Sequence, residues 1–181
     1  MPQTPPTTLF TPAPLMRAAS APTVRDAMSL VAPGRRVSIA VRPDGVRFQA
    51  HKRADEVRVF DAAGADVTDA LPAVTEAMRS ADADALVVDG FAVGPDAVPS
   101  FTDALLIDSL VATRPLSERA AALAERVPVA QMNQATITDQ PAIAEAFAAH
   151  VRAQGHPAVV VKALDSPYDP AVSAWAEVVF S

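Results

Sequence analysis

RVSIAVRPDGVRFQAHKRADEVRVF, residues 36–60, decides the fold class. Val37, Ile39 and Val41 alternate with Arg36, Ser38 and Ala40. Val46, Phe48 and Ala50 resume the same period, and Val57-Arg58-Val59-Phe60 closes the stretch. A period of two gives each strand one apolar and one polar face. Pro43-Asp44-Gly45 is predicted to be a tight turn, with proline presetting φ and glycine tolerating a positive φ. Arg53-Ala54-Asp55 makes the next turn. Strands joined by hairpins pair antiparallel, so the class is α+β, with antiparallel or mixed twisted sheets and flanking helices, and not a doubly wound parallel sheet.

Upstream, residues 1–22 hold six prolines. That density forbids helix and central strand. An extended N-terminal arm is predicted over 1–22, ordered where Leu9, Phe10 and Leu15 find a groove, with one domain over 23–181. Thr23 and Asp26 resemble a capping box that opens a helix with Val24, Met28 and Val31 inward, ended by Pro33-Gly34.

Downstream, Leu71, Val74 and Met78 predict a helix from about Thr68. Leu86-Val87-Val88 and Leu105-Leu106-Ile107 read as buried strands separated by a Gly94-Pro95-Asp96 turn. Pro115–Arg126 is predicted helical with Leu116, Leu123 and Val127 inward, and Val127-Pro128-Val129 extended. Thr138 is predicted to cap a helix whose inner face is Ile143, Phe147 and Val151, stopped by Gly155. Val159-Val160-Val161 and Trp175–Phe180 are the last strands.

The chain has 181 residues, half of them apolar, 5% aromatic, with a net charge of −6. One domain of this length buries a sizeable core. An acidic total lowers the prospect of strong nucleic-acid binding, which draws on phosphate neutralisation. The absence of cysteine excludes disulfides, thiolate metal sites and cysteine nucleophiles, and fits a cytoplasmic location. No apolar run reaches the roughly 18 residues of a membrane span, and residues 1–16 lack the n- and h-regions of a secretory signal. His51, His150 and His156 show no metal spacing and read as surface or turn residues; no metal site is predicted. Thirteen arginines stand against two lysines, Lys52 and Lys162.

The order of motifs resembles the adenylation (nucleotidyltransferase) domain of ATP-dependent DNA ligases. Arg42-Pro43-Asp44-Gly45-Val46-Arg47 is similar to K-x-D-G-x-R. EVRVFDAAGADVTDALP, 56–72, resembles the strand, turn and helix start that follow. LVVDGFAV, 86–93, resembles "LDGEAV", and RPLSER, 114–119, matches the next helix. GHPAVVVKALDSPYDP, 155–170, resembles "GHEGVVVKALDSPYEP", and Trp175 begins what would be W-x-K-x-K.

The resemblance implies a phosphoryl transfer in which a lysine amine attacks the α-phosphorus of ATP, forms lysine-AMP, and passes the AMP to a DNA 5′-phosphate. Here Arg42 stands at the lysine position. Arginine stays protonated with its charge delocalised and presents no lone pair. Lys52 lies ten residues on, too far along the strand to substitute.

Further departures are implied. Phe91 replaces the glutamate that holds the ribose hydroxyls. Pro157 and Ala158 replace the "E-G" that supplies a carboxylate near metal and phosphates. Glu177 and Val179 replace the two lysines that contact the α-phosphate. Reversing one charge beside a phosphate costs several kcal/mol at close range, about 4 kcal/mol per unit pair at an effective dielectric near 20. Either Phe101 or Thr102 takes the place of the base-stacking aromatic. The chain ends soon after Trp175, so the C-terminal OB domain of the family is expected to be missing.

The candidate nucleotide cleft is Arg42, Asp44, Gly45, Arg47 and Lys162, with no catalytic residue and no cofactor beyond weakly held ATP or Mg. Each member has a plainer reading, Asp44-Gly45 as a turn and the cations as a solvated face. The function expected is that of an inactive ligase-like protein, a binding or accessory module linked to DNA repair whose partner is DNA or a repair protein. The alternatives are an active nucleotidyltransferase using an unusual residue, a nucleotide-sensing domain, or a relic.

Overall fold

The computed structural model describes residues 7–172 and 174–181. In chain order the elements are β1 (Ala19–Ser20), α1 (Val24–Val31), β2 (Val37–Arg42), β3 (Gly45–Arg53), β4 (Glu56–Asp61), α2 (Pro72–Ser80), β5 (Ala85–Val93), β6 (Val98–Ile107), β7 (Ser109–Leu110), α3 (Leu116–Ala124), β8 (Ala135–Thr138), α4 (Pro141–Ala153), β9 (Ala158–Ala163) and β10 (Trp175–Val179). They form two five-stranded sheets, ordered β1-β10-β9-β2-β8 and β4-β3-β5-β6-β7. Among the described residues every pairing between these strands is antiparallel except β1 with β10. The α+β class is as predicted.

The turn at 43–45 is not a hairpin. β2 pairs with β8 and β9 in the first sheet, while β3 pairs with β4 and β5 in the second. Pro43-Asp44 is a corner that carries the chain between sheets. Gly45 is not in the positive-φ region. It is needed because a Cβ there would stand 2.3 Å from the carbonyl oxygen of Ala92. Alternation within β2 is silent about its partners, and they lie far downstream.

Thr23 caps α1 as predicted, accepting from the Asp26 amide at 3.1 Å and donating to its carboxylate at 2.6 Å. Val24, Ala27, Met28 and Val31 are buried. The predicted helix at Thr68 begins as a 3-10 turn, Thr68–Ala70, and becomes α2 at Pro72, with Leu71, Val74 and Met78 inward. The strands at 86–88 and 105–107 are parts of one long hairpin, β5 and β6.

Three readings near the C-terminal half fail. Val129–Gln131 is a 3-10 turn, not extended chain. β8 had no strong apolar signal, being a short edge strand. Thr138 ends β8, and its hydroxyl accepts from the Gln140 amide at 2.9 Å; the helix starts at Pro141. Ala144, Ala148 and Val151 form the buried face of α4, and Ile143 is exposed. Small residues face inward there because α4 packs directly against α1.

α1 and α4 cover the first sheet, and α2 and α3 the second. One core joins Met28, Ile39, Val161 and Val178, and reaches Val87, Leu105 and Tyr168 between the sheets. The other joins Phe48, Val74, Leu86 and Leu123. The segment 7–22 makes a turn at Thr8–Thr11, with Phe10 at φ 63°, and then runs on to β1 in the first sheet. Met16 is fully buried, Leu9 packs on the first core, and Ala19–Ser20 adds a strand beside Ala176 and Glu177. Residues 1–6 of the predicted arm lie outside the described residues. Among the described residues no helix is long and apolar enough to cross a membrane.

Candidate nucleotide cleft

The inner faces of the sheets open a cleft of about 270 Å³. β2 contributes Arg42, β9 Val160 and Lys162, and β10 Trp175 and Glu177. The second sheet contributes Gly45, Arg47, Phe91 and Thr102, and Met16 and Ala18 close one side. Residues spaced by two share a strand face, so the walls follow directly from the register that sets Trp175 beside Lys162 and Arg47 beside Phe91.

Four predicted site residues converge: Arg42, Gly45, Arg47 and Lys162. Asp44 does not join them; it is exposed at the corner. Among the positions that the resemblance marks as departures, Phe91 and Glu177 line the cleft. Ala158 is buried opposite Arg42 in the ladder, and the Pro157 carbonyl is taken by the Phe180 amide at 2.9 Å. Val179 lies beyond the cleft and is exposed. Thr102, and not Phe101, faces the cleft; Phe101 packs edge-on against Phe48 in the second core.

Arg42 and Glu177 form an ion pair at 2.6 Å. Both belong to the first sheet, flanking β9, so the pair lies over the cleft floor. Lys162 is buried, with its ammonium 4.0 Å from the centre of the Trp175 ring. Burial lowers its pKa to about 8, and Arg47 and Arg119 push the same way against Asp103 and Asp89. Arg47 makes no ion pair among the described residues, and the Trp175 indole N–H is buried without an acceptor.

Behind the cleft runs a buried polar chain that the sequence reading missed. Gln49 donates to Asp89 at 2.9 Å and stands 3.0 Å from His51. Tyr168 donates to the other Asp89 oxygen. Backbone amides of the N-terminal segment complete the chain, Phe10 to His51 at 3.0 Å, Ala13 to Gln49 at 2.7 Å and Met16 to Tyr168 at 3.3 Å. His51 is therefore no surface residue; burial lowers its pKa to about 4. Burial raises Asp89 to about 6 and lifts Tyr168 well above its ordinary value. The signal was present: 47, 49 and 51 share one face of β3. Asp103 and Arg119 form a second buried unit, a bidentate pair at 2.8 and 2.9 Å. Among the described residues no group of three acidic, histidine or cysteine side chains could hold a metal ion.

No protein-family model matches the chain. A probable DNA ligase of Beutenbergia cavernae is 36% identical over 183 residues, covering 85% of this chain and 36% of the relative. One from Kineococcus radiotolerans is 36% identical over 155 residues, covering 73% of the chain and 31% of the relative. The chain thus spans about a third of the length of the relatives it matches. The ligase domain from M. tuberculosis LigD superposes with a TM-score of 0.66 at 22% identity, covering 90% of this chain and 58% of that one. In sequence and in fold, the chain is similar to the adenylation domain of ATP-dependent DNA ligases.

Proposed function

We propose that this chain is a ligase-like domain that does not adenylate itself and serves as a binding or accessory module linked to DNA repair, with DNA or a repair protein as partner. The observation that carries the reading is Arg42. It occupies the lysine position on β2, it has no lone pair to offer phosphorus, and its charge is already taken by Glu177 at 2.6 Å. Two departures from the ligase pattern therefore compensate each other: a cation kept without its amine, and a carboxylate that neutralises it where a lysine would meet phosphate. Such pairing, with caps and cores intact, supports a maintained fold over a decaying relic.

Incubation with ATP labelled at the α-phosphate and a divalent metal tests this. The expected result is no labelled protein, for the native chain or for Arg42→Lys, since Phe91, Pro157 and Glu177 remain. An acid-labile, alkali-stable adduct on the native chain would overturn the reading in favour of an active nucleotidyltransferase.

A further inference from the structure

Three groups in the cleft lack a partner of their own kind. Among the described residues, Arg47 makes no ion pair, the Lys162 ammonium lies over the face of Trp175 without an ion pair, and the Trp175 N–H has no acceptor. Arg47 and Lys162 repel each other, and low-dielectric surroundings enlarge that cost. Asp103 and Asp89 offset part of it without forming an ion pair to either cation among the described residues, and an anionic ligand would relieve the rest. With Arg42 held by Glu177, Arg47 is the cleft guanidinium outside an ion pair among the described residues, which suits one phosphate and not a triphosphate. Phe91 and Trp175 place aromatic rings in the cleft lining.

We infer that Lys162 is a nucleophilic lysine that forms an imine with aldehydes carrying one phosphate on a ring-sized body. The unprotonated Nζ adds to the carbonyl carbon, forming the C–N bond as the C=O π bond breaks. The two protons of the nitrogen leave with the carbonyl oxygen as water. No leaving group other than water and no co-reactant is required. Arg47 holds the phosphate, and Trp175 carries the amine. The groups facing Lys162 are Asp103 on β6, Asp89 on β5, Arg119 on α3, Arg47 on β3, Arg42 on β2 and Glu177 on β10. Burial together with the arginines leaves a sizeable unprotonated fraction near pH 8. The other lysine is a built-in control: Lys52 donates to the carbonyls of Arg79 and Ala81 at 3.0 and 2.7 Å, outside the cleft.

The inference does not rest on the loss of adenylation, because it concerns a different bond on a different residue. The test uses the full chain with pyridoxal 5′-phosphate, borohydride trapping and peptide mapping by mass spectrometry. Lys162 should label at least about tenfold faster than Lys52 or the amino terminus, as expected of a desolvated lysine amine. The rate should rise with pH through about 8. Arg47→Gln should slow labelling by the phosphorylated aldehyde about tenfold, while labelling by neutral pyridoxal changes about threefold or less. Lys162→Arg, with its circular dichroism compared to the native chain, should lose the adduct. Equal labelling of Lys52 or the amino terminus would overturn the inference without a variant being needed. An Arg47→Gln effect equal for both aldehydes would overturn the phosphate specificity.

Discussion

The phenol of Tyr168, in the loop after β9, donates to Asp89 on β5 and accepts from the Met16 amide at 3.3 Å. One hydroxyl thus ties the second sheet, the loop that follows Lys162 and the N-terminal segment. Tyr168→Phe keeps the ring but strands the Met16 N–H and one Asp89 oxygen. The expected cost is about 1–3 kcal/mol, read as a lowered urea midpoint with unchanged slope. An unchanged midpoint would mean that water replaces the phenol.

Asp89 and His51 give the chain two opposing pH dependences. Asp89 has its folded pKa raised to about 6, so the fold binds more protons than the unfolded chain and its contribution falls as pH rises from about 4 to 6. His51 has its folded pKa lowered to about 4, so its contribution is lost as pH falls from about 6.5 to 4. The slopes oppose each other in one window. Asp89→Asn should leave stability rising with pH there, and His51→Gln should leave it falling, each by up to about 1.4 kcal/mol per pH unit. Denaturant melts across pH 4 to 7 check this; slopes of like sign in both variants would refute it.

Glu177→Lys should tighten ATP binding. The change frees Arg42 and returns a cation to the cleft. Both side chains are partly solvated, which limits the gain to about tenfold. Calorimetry on native and variant chains decides, and unchanged affinity would show that the Arg42–Glu177 pair does not govern phosphate access.

Binding to duplex DNA should be weak and should depend on few charges. With Arg42 paired to Glu177, Arg47 and Lys162 are the cleft cations outside an ion pair among the described residues. A log–log plot of affinity against salt should therefore have a slope of about −2. A slope steeper than about −4 would place the DNA contact elsewhere on the surface.

Arg119 is fully buried and also donates to the carbonyls of Arg114 and Ser166, at 2.6 and 2.8 Å. Arg119→Met leaves the buried Asp103 carboxyl without its bidentate partner. The expected loss is about 3–5 kcal/mol, recoverable in part by the double change with Asp103→Leu. Thermal melts of the single and double variants check it.

The alternation of residues 36–60 made three strands legible, and the motif order made the cleft legible down to Arg42, Gly45, Arg47 and Lys162. The partners of each strand were not legible. Val37, Ile39 and Val41 read the same whether β2 pairs with β3 or with β8 and β9, because periodicity reports burial and not neighbours. Asp44 was named a cleft candidate on the motif resemblance alone, and its plainer reading as a turn residue fits its exposed place at the corner. Gln49 and His51 were hidden by residue type: polar side chains on a strand read as solvent-facing until their partners on the N-terminal segment and β5 are known.

The two sheets draw on the chain very differently. The second sheet is built from residues 45–110 without interruption, whereas the first gathers 19–20, 37–42, 135–138, 158–163 and 175–179. During synthesis the second sheet and α2 have all their strands available early, while β2 must wait for β8 and β9, and β1 for β10. Closing such long loops is entropically costly and slow. A nascent chain thus carries a finished half beside an unpaired, apolar β2, and the cleft comes into being only when its final strands, bearing Lys162 and Glu177, are laid down.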